Sequence, residues 1–116
     1  MDVKQFYQEI NGSYQNALSI MINDALIARM LSKFINNNSC DAIISNYEKK
    51  DFRALFESAH ALKGVAGNLA LTPLYDIACV LSDATRNDDN PDIAKEIQQL
   101  KDVYSCIKEN YAKYLA

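Results

Sequence analysis

Apolar residues recur along this chain at intervals of three and four, the spacing of one face of an α-helix. Val3, Phe6, Tyr7 and Ile10 mark a first helix over 2–11, closed by Gly12. Residues 13–22 are apolar but short and are assigned a single turn of helix. Asn23-Asp24 supplies a capping signal, after which Leu26, Ile27, Met30, Leu31 and Phe34 share a face. Asn36-Asn37-Asn38-Ser39 interrupts that face, and Cys40, Ile43, Ile44 and Tyr47 resume it. Either one helix spans 24–49 with a polar middle or two helices meet there; the stretch holds neither Gly nor Pro, so one helix over 24–49 is favoured.

Lys50-Asp51 reads as a tight connection to a strong helix over 51–69, marked by Phe52, Leu55, Phe56, Ala59, Leu62, Ala66 and Leu69. Thr72-Pro73, a capping hydroxyl followed by Pro, starts a helix over 73–87 that carries Leu74, Ile77, Ala78, Leu81 and Ala84. Asn87-Asp88-Asp89-Asn90 is a loop, and Asn90-Pro91 repeats the start signal. The last helix, over 91–115, carries Ile93, Ile97, Leu100, Tyr104, Ile107, Tyr111 and Tyr114, a stripe suited to a left-handed bundle. Four long helices with short connections imply antiparallel neighbours. The predicted fold is all-α: an antiparallel up-down four-helix bundle with a short N-terminal helical cap. One domain is expected over residues 1–116.

Composition narrows the function. The net charge is −3 and the pI about 5.0, with no basic stripe, which argues against nucleic acid and against polybasic membrane binding. No apolar run approaches the roughly 20 residues that span a bilayer, and the start M-D-V-K-Q-F-Y-Q-E-I lacks a signal-peptide layout, so a cytoplasmic monomer is expected. Cys40, Cys79 and Cys106 are read as free, buried thiols.

The helix over 51–69 breaks a rule, because it holds two of the chain's three glycines. Each costs a helix about 0.5–1 kcal/mol against Ala. At about 100° per residue, Gly64 and Gly67 fall within about 40° of His60 on the same stripe, one and two turns along. Lys63 lies one turn on and about 60° round. The apolar face is centred near Ala59 and Ala66, leaving His60 at its margin and at least partly exposed. An imidazole beside bare backbone admits a close partner, and an ammonium within reach can neutralise an anion carried by the ring. Two readings of the glycines stay open: access for a partner, and close packing between helices. Glu57, one turn before His60, is a candidate to orient the ring, and Arg53 a candidate to contact a partner. A metal site is not expected, since His60 has no second ligand at i+3 or i+4.

The segment Ala59-His60-Ala61-Leu62-Lys63-Gly64-Val65-Ala66-Gly67-Asn68-Leu69-Ala70 resembles the H-x-L-K-G signature of histidine-containing phosphotransfer (HPt) domains. The likeness extends upstream through Asn23-Asp24-Ala25-Leu26 and downstream through Leu74-Tyr75-Asp76-Ile77, covering about residues 20–87. Ala70 stands where the family usually has Gly, and Ser82 where a Glu often follows the leucine. The resemblance implies that His60 is the phosphorylated nucleophile, through Nε2, and that Lys63 contacts the phosphate. Gly64 and Gly67, by the bare backbone they leave, and Arg53 and Glu57, by their place near His60 on the helix, are the candidate partner-docking positions. The resemblance also implies receiver domains of response regulators or hybrid sensor kinases as partners. The Mg²⁺ and the acidic pocket would belong to the receiver. No cofactor is expected on this chain, which has no Walker-type or kinase glycine loop. The chain would then be a relay intermediate and not an independent kinase. Two alternatives remain: the phosphorylatable domain of a chemotaxis-type kinase, and a helical adaptor that has lost the chemistry.

Overall fold

The computed structural model describes residues 1–37, 39–87 and 90–116. Asn38 and the predicted loop residues Asp88 and Asp89 lie outside the described residues. The structure is all-helical, with α1 Val3–Glu9, α2 Tyr14–Met21, α3 Asp24–Ile35, α4 Ser39–Glu48, α5 Phe52–Asn68, α6 Thr72–Thr85 and α7 Ala94–Tyr114. Helices α4, α5, α6 and α7 close a ring, each packed on the next and α7 back on α4. This ring is the four-helix bundle. Its core holds Ile43, Leu55, Ala59, Leu62, Leu74, Leu81, Leu100 and Ile107, all buried. Helix α1 packs on α7, α2 and α3, so the N-terminal cap is larger than one helix.

The single turn read over 13–22 is the eight-residue helix α2, and several boundaries differ from the sequence reading. The predicted helix over 24–49 is two helices, with α3 ending at Ile35 and α4 restarting at Ser39. Polar side chains bond locally there: the Asn36 amide donates to the Ser32 carbonyl (3.0 Å) and the Ser39 hydroxyl to Asn37 Oδ1 (2.7 Å). Helix α6 begins at Thr72 itself, and Leu71 occupies the cap position without a side-chain bond. Helix α7 begins at Ala94 and not after Asn90, because Pro91 and Ile93 are first buried in the core. The capping signal at Asn23 holds, its carboxamide oxygen accepting from Leu26 N–H (2.8 Å); Asp51, read only as part of a connection, caps α5, its carboxylate accepting from Ala54 N–H (3.1 Å).

The cysteines also differ from expectation. All three are free, but only Cys40 is buried, and burial pushes its thiol pKa up to about 12. Cys79 and Cys106 are half-exposed because they lie at the edges of their helices' apolar faces.

The C-terminus of α5 is tied down by the N-terminal cap. The buried Tyr7 hydroxyl donates to the Leu69 carbonyl (2.6 Å), and Ser13 N–H donates to the Ala70 carbonyl (3.0 Å). Both carbonyls lie past the last turn of α5, where no intrahelical donor reaches them. A Cβ at Gly12 would come within 2.8 Å of the Ala70 oxygen, so glycine permits this docking.

The turn itself is a Schellman motif: Leu71 N–H donates to Ala66 O (3.0 Å) and Ala70 N–H to Gly67 O (3.1 Å). Ala70 adopts φ 53°, the left-handed region that favours glycine. This departure from the family pattern therefore has an energetic cost of about 1–2 kcal/mol. Its buried methyl offsets about 0.8 kcal/mol. Ala70→Gly is expected to stabilise the chain by about 0.5 kcal/mol, read from thermal melts; a loss of stability would mean that methyl burial dominates.

Candidate functional site

Helix α5 turns Leu55, Ala59, Leu62 and Ala66 into the core and leaves Arg53, Glu57, His60 and Gly64 exposed. His60 thus stands on solvent-facing helix, as its place at the margin of the apolar stripe predicts. Lys63 is half-buried, one turn on. Among the described residues it has no ion-pair partner, which leaves its charge available. His60, Lys63, Gly64, Gly67, Asn68 and Tyr75 line one surface concavity between α5 and α6.

The two glycines differ. A Cβ built at Gly64 meets nothing within 4 Å, so helix packing makes no demand for glycine there. A Cβ at Gly67 would lie 3.3 Å from Cδ1 and Cε1 of Tyr75, so this glycine makes room for the tyrosine ring. The aperture beside the imidazole is therefore opened by Gly64, while Gly67 seats the tyrosine that forms the far wall.

Arg53 and Glu57 do not share that concavity. They line a neighbouring one of about 580 Å³, with Lys50, Phe56, Thr85 and Arg86. No hydrogen bond joins Glu57 to His60 among the described residues. The group that touches the imidazole is Phe56, whose ring stacks on it with centroids 5.9 Å apart and planes 20° from parallel. Arg86, at the C-terminus of α6, places its guanidinium carbon 5.9 Å from the Phe56 centroid and pairs with Asp83 at 3.3 Å. Sequence reasoning counted Phe56 only as an apolar marker of the helix. Its i, i+4 spacing from His60 was the signal that the rings meet. Tyr75 and Asn68 were also missed as site residues, and Tyr75 gives no local signal because α6 brings it there. Ser82, the second departure from the family pattern, is fully buried, and its hydroxyl has no hydrogen-bond partner among the described residues.

Among the described residues no cluster of His, Cys, Asp and Glu is fit to hold a metal. No helix is long and apolar enough to cross a membrane.

A helical bundle that exposes one imidazole beside a gap in its own helix surface, with an ammonium a turn away, defines a class of domain built to carry a group on histidine. The family model of the Hpt domain matches residues 22–110, and the chain belongs to that family, the histidine phosphotransfer domains of two-component phosphorelays. Helices α1 and α2 precede the matched span. Searches of curated proteins and of solved structures found no match.

Proposed function

We propose that His60 is the phosphoryl carrier of a relay, loaded from the aspartyl phosphate of one receiver domain and unloaded onto the aspartate of another. The observation that carries this reading is the exposed His60 imidazole flanked by the open surface at Gly64 and by the ammonium of Lys63, which has no ion pair among the described residues. The lone pair of a neutral ring nitrogen forms the N–P bond as the P–O bond to the receiver aspartate breaks, releasing its carboxylate. Such a transfer needs in-line approach and charge neutralisation more than covalent chemistry from the protein. Gly64 supplies the approach and Lys63 part of the neutralisation. The Mg²⁺ and the acidic pocket lie on the receiver, and this chain brings no cofactor. Incubating the chain with a panel of phosphorylated receivers tests the reading directly. Label is expected on His60 from at least one, and chains that stay unlabelled against receivers of every class would overturn it.

Lys63→Ala separates charge from packing. A charge-assisted contact worth about 1.5–3 kcal/mol in the transfer corresponds to a rate loss of about tenfold or more. The melting temperature is expected to change little, because the side chain is only half-buried and has no ion pair to lose. Normal transfer with a large drop in melting temperature would make Lys63 a structural residue.

A further inference from the structure

We infer that Phe56 is a positioning residue for His60, holding the imidazole in one orientation so that a docked donor finds its nitrogen in line. This inference rests on the relay reading of His60 and names the residue that makes its geometry reproducible. An exposed histidine on a helix ordinarily samples several rotamers. This one does not stand free. The half-buried Phe56, one turn before it, covers a face of its ring at 5.9 Å and 20°, within the offset-stacked range preferred by aromatic pairs. Phe56 is in turn held across the helix pair, since Arg86 from the end of α6 lies over the same ring at 5.9 Å. Arg86 also pairs with Asp83 at 3.3 Å on the surface. The contacts Arg86–Phe56–His60 link the imidazole to the end of α6 on the side opposite Gly64. Nothing polar among the described residues does this: no side-chain hydrogen bond reaches His60, and Glu57 lines the neighbouring concavity.

The stack restricts rotation of a ring that stands on an exposed residue. Misplacement of a reacting atom by about 1 Å can cost up to 100-fold, so loss of this restraint is expected to lower the rate and leave docking alone.

The experiment compares the parent chain with Phe56→Leu and Phe56→Tyr against two donors. The first donor is a phosphorylated receiver, read as the maximal transfer rate and the half-saturating receiver concentration. The second is phosphoramidate, a small donor that docks nowhere; its P–N bond breaks as the imidazole N–P bond forms and ammonia leaves. Phe56→Leu is expected to lower the maximal rate from the receiver about tenfold, with unchanged half-saturation and an unchanged phosphoramidate rate. Phe56→Tyr, which keeps the ring, is expected to restore the parent rate. The proton resonances of the only imidazole in the chain report the stack independently, since the ring-current shift from Phe56 is retained in Phe56→Tyr and lost in Phe56→Leu. A full receiver rate in Phe56→Leu would overturn the positioning role and leave the relay reading standing. So would a change confined to half-saturation, or a tyrosine variant as slow as the leucine one. A parent chain that takes no label at His60 from any receiver would overturn the relay reading, and the positioning role with it.

Discussion

Replacing His60 with glutamine is expected to abolish all incorporation of phosphoryl label from a phosphorylated receiver. It is the only histidine in the chain, so no second imidazole can take over. The label on the parent chain is expected to be acid-labile and base-stable, as an N–P bond requires. The fold is expected to survive. The His60 side chain is exposed, makes no hydrogen bond among the described residues and contributes a ring stack with Phe56, so stability is expected to stay within about 0.5 kcal/mol of the parent. Label incorporation and a thermal melt followed by circular dichroism measure both halves. A fully labelled glutamine variant would place the carrier elsewhere. An unlabelled variant that had also unfolded would show only that the imidazole's contacts are structural, and His60→Phe, which preserves a ring against Phe56, would then separate the two effects.

The legible part of this molecule is the part written in periodicity. The stripes in α5 and α7 repeat for several turns, so their buried faces follow from spacing alone, and Leu55, Ala59, Leu62, Leu100 and Ile107 are all core residues. Boundaries set by competition between local bonds were less legible. Asn36 and Ser39 sit in a sequence with no helix breaker, yet the predicted helix is divided there, with local side-chain bonds from Asn36 to the Ser32 carbonyl and from Ser39 to Asn37. The start signal read at Asn90-Pro91 does not hold: the buried Ile93 occupies the cap position, Pro91 lies outside the helix, and α7 begins at Ala94. Three of the Schellman-type turns place Asn11, Lys50 and Ala70 at positive φ, and none carries the glycine that would announce it. The site divides in the same way. His60, Lys63 and Gly64 lie on one helix, so their juxtaposition follows from angle alone. Tyr75 and Arg86 come from α6, and only the packing of two helices brings them to the site.

The glycines carry the remaining large effect, and the structure assigns them different jobs. Gly64 faces open space, so Gly64→Ala is expected to stabilise the bundle by up to about 1 kcal/mol through helix propensity alone. Gly64→Gln keeps that helical advantage but sets a long side chain one turn from the imidazole, on the stripe a receiver must approach. Transfer is expected to fall by about 100-fold while the melt stays cooperative and unshifted or slightly raised, because displacing a donor by about 1 Å is enough for such a loss. Gly67 obeys another constraint. A methyl there lies 3.3 Å from Tyr75, tighter than ordinary contact, and Tyr75 must yield by a few tenths of an ångström. That ring is 36% exposed and has room to move, so the strain and the propensity gain should nearly cancel, leaving Gly67→Ala within about 1 kcal/mol of the parent. Its transfer rate should fall less than that of Gly64→Gln, since the methyl meets the wall of the concavity and not the line of approach. Stability and receiver-to-histidine transfer measured on Gly64→Ala, Gly64→Gln and Gly67→Ala decide between access and packing at each position. Undiminished transfer in Gly64→Gln, with an unshifted melt, would show that a partner reaches His60 from another side and that the gap at Gly64 serves no approach.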